Sequence, residues 1–294
     1  MIRFSKYLWL YALISGLILV PGVYSIVRYG LRPSIDFTGG TLLEFSFDRP
    51  VPENILTDVA RKQDLPIASI LSSGSNTYLL RIKPEGSDNV AGFSQMVERE
   101  SSSTATILRN ETVGPVLGSE LLGKAVVAAV LAIFCILAYV AYAFKNIKFG
   151  VSAIIALLHD LLVVLGVFSL LGVLRGVEVD TLFVTAFLTT MSFSVHDTIV
   201  VFDRIREYRR RDEKTRFDEL ADRALTETMG RSLTNSFTIM FMLLALILMG
   251  GGSVRWFVVA LLIGTVSGTY SSPFVATPIL ILWDRWEKRK IRLP

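Results

Sequence analysis

Two His-Asp dipeptides stand where a chain holds charge least easily. His159-Asp160 lies in "LLHDLLVVLG" and His196-Asp197 in "SVHDTIVVFDR", both within long apolar runs. An ionisable side chain at mid-membrane costs about 2.5–3.5 kcal/mol on insertion scales, so such residues face a protein interior or a water cavity and are functional by default. The chemistry on offer is nucleophilic catalysis, metal ligation or proton carriage. Ser194, His196 and Asp197 have the residue types of a hydrolytic triad. Spacings of two and one spread them around a helix axis, whereas a triad needs base and nucleophile about 3 Å apart. A metal site recruiting both dipeptides would have two histidines and no E-x-x-H motif, unlike bundle carboxylate sites. The pattern points away from an enzyme, and no metal is expected. Within each dipeptide the side chains diverge by about 100°, so one member of each is expected to face inward rather than both forming a local dyad.

Proton carriage has a better constellation. Arg231 precedes "SLTNSFT" at the entrance of the next apolar run. An Asp197–Arg231 pair would hold the carboxylate ionised, and protonation would release the arginine. His196 and Asp160 are candidates for the same proton-coupling set, with interhelical hydrogen bonding as the structural alternative.

The elements that must position these residues follow from hydropathy. The 294-residue chain is 52% hydrophobic with mean hydropathy +0.53, and its apolar residues fall in blocks, the pattern of a polytopic membrane protein. Six predicted helices, at 7–27, 121–144, 149–173, 181–203, 232–250 and 256–283, are long enough to cross about 30 Å of hydrocarbon. The first follows Arg3 and Lys6 and has no A-x-A-like cleavage site after it, so it reads as a retained anchor. Cys135 is the lone cysteine, so no disulfide framework exists within the chain.

The net charge of +4 reflects topology rather than a nucleic-acid partner. Lys and Arg number two before the first span, two in 145–148, nine in 204–231 and five from Asp284 onward, against Arg175 and Arg255 alone in the opposite short loops. The positive-inside rule then places both termini in the cytoplasm. The domain plan is a cytoplasmic N-terminus and first span (1–27), an extracytoplasmic head (28–120), a five-helix bundle (121–283) and a basic tail (284–294). Segment 204–231 reads as a cytoplasmic helical hairpin at the membrane surface, with Phe217, Leu220 and Leu225 on one face.

Segment 28–120 alternates like a folded α+β domain. Strand-like runs at 41–47, 67–73, 77–83 and 104–113 flank two helical stretches, 52–63 behind a proline and 87–100 behind a capping Ser87-Asp88. The order β-α-β-β-α-β fits a ferredoxin-like sandwich, with strand order left open. In the last span, Gly264-x-x-x-Gly268 is a close-packing pattern.

Five blocks, "IDFTGG" (35–40), "LLHDLLVVLG" (157–166), "SVHDTIVVFDRIRE" (194–207), "RSLTNSFT" (231–238) and "GTYSSPFVATP" (268–278), together resemble the SecF branch of the SecD/SecF family in the resistance-nodulation-division (RND) superfamily. The resemblance covers essentially the whole chain. It implies an auxiliary subunit of the Sec translocase that, with SecD, uses the proton motive force to promote export across the bacterial inner membrane. The implied partners are SecD, the SecYEG channel, YajC, the translocating preprotein and membrane lipid; the proton is the coupling ion and no cofactor is implied. The family's membrane aspartate falls on Asp197 and its arginine on Arg231. Its motif at the base of the outer domain falls on Asp36, Phe37, Thr38, Gly39 and Gly40, where glycine permits a sharp hinge of low bulk, and the head would be the moving part. The family usually has Asn where His196 stands, and an aliphatic residue near Pro273. The alternative is an RND-type exporter of lipid or small molecules, against which the half-size chain, its single outer domain and the DFTGG block argue.

Overall fold

The structure, a computed structural model, describes residues 3–72, 76–83, 90–144, 146–212, 214–249 and 252–291. After a 3-10 turn (Phe4–Lys6) the elements are α1 (Leu8–Tyr29), α2 (Ile35–Thr38), β1 (Gly40–Phe47), α3 (Glu53–Lys62), β2 (Ile67–Ser72), β3 (Thr77–Ile82), α4 (Val90–Ser101) and β4 (Ala105–Val113). They continue with α5 (Pro115–Ala143), α6 (Ile147–Arg175), α7 (Thr181–Arg211), α8 (Phe217–Met249) and α9 (Gly252–Ser271), which a π turn (Ser272–Ala276) joins to α10 (Thr277–Ile291). Two compact units divide the chain: 32–128 together with 178–181, and the rest.

The first unit is built on an antiparallel sheet of order β2-β3-β1-β4, the ferredoxin-like arrangement. Alternation along β1 and β3 sends Leu43, Phe45, Phe47, Leu80 and Ile82 to one face. There they bury against Leu56 and Val59 of α3 and Phe93 and Val97 of α4. Each such side chain contributes about 1.5–3 kcal/mol on burial. Between β1 and β4 the register slips at Glu44/Phe45, which pair with Arg109 and Ile107. Leu108 is thus the extra residue of a bulge that bends the edge strand. The Ser87-Asp88 cap expected for the second helix lies outside the described residues.

Among the described residues, six helical stretches have the length and hydropathy to cross a membrane: α1, α5, α6, α7, α8 and the run through α9 and α10. α6 is the most enclosed of them, with more than half of its apolar window buried. At its crossing with α1 the backbones touch, because a Cβ on Gly166 would lie 2.7 Å from Gly22 Cα. The hydroxyls of Ser25 and Ser169 meet there at 2.8 Å, and Ser169 also donates to the Gly30 carbonyl at 2.7 Å. Segment 204–231 is helical on both sides of a short turn: α7 runs on to Arg211 and α8 opens at Phe217. Phe217, Leu220 and Leu225 are buried on one face. Asp222, also buried, accepts from the Ser5 amide and hydroxyl at 2.9 and 2.8 Å and so ties the N-terminus to α8. The last span is not one regular helix. Pro273 has no N–H to donate, and the widened turn it occupies lets both the Thr277 amide and its hydroxyl (3.0 Å) reach the Ser272 carbonyl. The basic stretch after Asp284 is helical as far as Ile291, as part of α10. Lys148 bonds Asp284 at 3.0 Å and Glu287 at 3.1 Å.

Candidate functional site

The two intramembrane carboxylates occupy different surroundings. Asp160, on α6, is buried and accepts hydroxyl bonds from Ser194 of α7 at 2.5 Å and from Ser267 and Ser271 of α9 at 2.6 Å each. His159 Nδ1 lies 3.0 Å from its Oδ1. The sequence-based expectation that neighbouring His and Asp would not pair is therefore corrected for this dipeptide. A 100° divergence at the backbone still lets the ring reach the near edge of a carboxylate whose far edge is held by serines. Three serine hydroxyls and the His159 ring satisfy both oxygens of the carboxylate, as burial of a polar group requires. His159 Nε2 is buried with no hydrogen-bond partner among the described residues.

Asp197, on α7, is half-buried and lines a small cleft with His196, Asn235, Ser236, Thr265 and Thr269. Its hydrogen-bond donor is Ser232 of α8, whose hydroxyl reaches Oδ2 at 2.7 Å. The expected Asp197–Arg231 ion pair is absent among the described residues. Arg231 is exposed and acts electrostatically on Glu227, four residues back on the same helix. The reason is angular: Arg231 and Ser232 project about 100° apart on α8, and Ser232 is the one that faces Asp197. His196 is exposed at the same cleft.

Gly264 and Gly268 set the spacing around both carboxylates. A Cβ on Gly264 would fall 2.1 Å from Thr190 Cγ2, and one on Gly268 3.1 Å from Ser194 Cα. This close approach brings Ser267 and Ser271, four apart on α9, within reach of Asp160. Thr198 and Ser272 hydroxyls, 2.9 Å apart, continue the polar seam.

The DFTGG block forms a packed corner. Ser34 caps the single turn of α2, bonding the Asp36 amide at 3.2 Å. Gly39 and Gly40 follow with φ of 73° and 124°, a region side chains rarely enter. A Cβ on Gly39 would stand 2.7 Å from Pro115 Cα, and one on Gly40 2.5 Å from the Ile82 carbonyl oxygen. Phe37 is buried beneath the corner, while Thr38 returns its hydroxyl to the Ser34 carbonyl at 3.0 Å. Asp36 Oδ2 accepts from the Thr181 amide at 3.0 Å and hydroxyl at 2.8 Å. Beside it, Arg81 bonds the Pro33 carbonyl at 3.0 Å and is ion-paired with Glu178. Burial pushes the Glu178 carboxyl up and draws the Arg81 guanidinium down, outweighing the pairing of the two.

Sequence reasoning singled out the carboxylates, Arg231 and the glycines. It missed the hydroxyls that receive the carboxylates, Ser232, Ser267 and Ser271, and the Arg81–Glu178 pair. The spacing of Ser267 and Ser271 was a readable signal; the Arg81–Glu178 contact joins residues 97 apart and has none.

A six-span helical protein with carboxylates held inside its bundle, and a ferredoxin-like domain inserted after the first span, is of the polytopic membrane-transport class. The family model described as "Protein export membrane protein SecD/SecF, C-terminal" matches residues 93–286, and that of the SecD/SecF GG motif matches 24–51. The chain belongs to the SecD/SecF family. It is similar to the protein translocase subunit SecF of Thermobaculum terrenum, 41% identical over 94% of this chain and 92% of the relative, and to that of Anaerolinea thermophila, 40% identical over 96% and 94%. Among solved structures, SecDF from Thermus thermophilus, a translocon-associated membrane protein, superposes with a TM-score of 0.86 at 31% identity. That match covers 97% of this chain and 39% of the SecDF chain.

Proposed function

We propose that this chain is the SecF half of a SecD–SecF pair in the bacterial inner membrane, where it couples proton entry to outward movement of preproteins through the SecYEG channel. The names of its relatives support the translocase role, and its span of 39% of a solved SecDF chain supports a SecD portion as the remainder of the assembly. Both termini lie in the cytoplasm by the distribution of Lys and Arg. YajC and the surrounding lipid complete the set of partners in this reading.

The observation that carries the proton step is the setting of Asp197: mid-helix in a span, open to a polar cleft, and bonded to the neutral hydroxyl of Ser232, whose chain neighbour Arg231 is exposed. Protonated, Asp197 holds Ser232. Ionised, it draws Arg231, and exchanging one for the other turns α8 by about 100° or swings the arginine inward. One charge crossing 100 mV is worth about 2.3 kcal/mol, enough to tip two nearly balanced positions. Asp160, enclosed by three serine hydroxyls and the His159 ring, holds helices together instead. The test is export of a secreted reporter from vesicles under an imposed proton gradient. Asp197→Asn is expected to insert normally and lose gradient stimulation, while His196→Asn keeps most of it because the carboxylate remains. Gradient-stimulated export at the unmodified rate in Asp197→Asn would refute the mechanism.

A further inference from the structure

The role of Asp36 goes beyond a flexible motif. Its carboxylate receives both the backbone N–H and the hydroxyl of Thr181, the first residue of α7. The first four N–H groups of a helix have no partner within it, and a carboxylate there also meets the positive end of the helix dipole. The segment leading into α7 is held by more than this contact. Val179 donates to the Arg32 carbonyl at 2.7 Å and accepts from the Ser34 amide at 2.8 Å, pairing in parallel with Pro33. Arg81, from β3, closes the group through Pro33 and Glu178. The block is thus interlocked on three sides, by Pro115, by Ile82 and by 178–181, which a freely bending hinge is not.

From this geometry we propose that Asp36 is a positioning residue. Reaching across the sequence to cap α7, it fixes the outer end of the helix that carries Asp197. Residues 181 and 197 lie on one uninterrupted helix, about 24 Å apart at 1.5 Å per residue. A displacement of the DFTGG corner therefore bears on α7 directly, and a change at Asp197 bears on the corner. This rests on the proton-coupling reading of Asp197.

The test uses the full chain with its SecD partner in membrane vesicles, with two readouts: amide hydrogen exchange across 181–187, and reporter export with and without a proton gradient. Asp36→Ala is expected to speed exchange at the start of α7 about fivefold, the effect of losing one cap, and to cut the gradient-stimulated part of export several-fold. Asp36→Asn retains a capping oxygen and is expected to restore both. Faster exchange with undiminished gradient stimulation overturns the proposal, because the cap is then only local. Unchanged exchange in Asp36→Ala overturns it too, as does equal loss in Asp36→Asn, which would make charge rather than capping the requirement. Failure of the underlying reading shows differently. Asp197→Asn would then keep its gradient stimulation, removing the far end of the linkage while exchange at 181–187 still reports the cap.

Discussion

Replacing Asp160 by alanine separates a carboxylate that binds helices from one that carries protons. The substitution strips the acceptor from Ser194, Ser267 and Ser271 at once, and these three bonds join α6 to α7 and α9. Interhelical hydrogen bonds in a membrane protein average about 0.6 kcal/mol and reach about 1.7, so three give a loss of about 2 to 5 kcal/mol. The cost of placing a carboxylate in lipid does not offset this, since the residue stays at the same depth when the helices separate. Asp160→Asn keeps one acceptor oxygen, and serine hydroxyls can rotate to accept from its amide; its loss is expected to be less than half as large. The assay is unfolding of the purified protein in a detergent titration, followed by the fluorescence of its four tryptophans, with gradient-stimulated export measured beside it. The expected order of stability is unmodified, then Asn, then Ala, with export falling in step. Asp160→Ala that unfolds at the unmodified midpoint yet abolishes gradient stimulation would refute the reasoning and return Asp160 to the proton-coupling set.

Two further predictions follow from packing and from titration. Gly264→Ala drives a methyl into Thr190 and is expected to destabilise the protein by about 1–3 kcal/mol in the same detergent titration. Adding Thr190→Gly should recover most of that loss, and no recovery would mean that the two residues do not meet. Because burial raises the Glu178 carboxyl above its ordinary value near 4.5, the folded protein binds that proton more tightly than the unfolded chain does. The stability contributed is full below pH 4.5 and is lost as pH rises through the folded value. Glu178→Gln is expected to flatten that part of the pH profile of thermal unfolding, and identical profiles for variant and unmodified protein would count against a buried Glu178.

The spans were legible because a run of twenty apolar residues is a property of the run itself. Their number, and the helical hairpin of 204–231, needed no knowledge of what lay opposite. The strands of the inserted domain were legible for the same reason: alternation along 41–47 and 77–83 is local, whereas the order β2-β3-β1-β4 is a matter of which edges meet. The motif residues were readable as types, and Gly39 and Gly40 as a sharp turn, but the turn's close packing against Pro115 and Ile82 was not. The sequence offered Asp197 an arginine, and the tertiary structure supplied a serine. Asp160 read either as a proton-coupling candidate or as an interhelical hydrogen-bonding residue, and only the bundle shows it wrapped in hydroxyls from two other helices. In each case a carboxylate's partner depends on the rotation of the neighbouring helix to within less than 100°. That rotation is set by close approaches such as the Gly22 backbone on Gly166 and the Thr190 side chain on Gly264. Such approaches join residues 144 and 74 positions apart in the chain, and only the assembled bundle determines them.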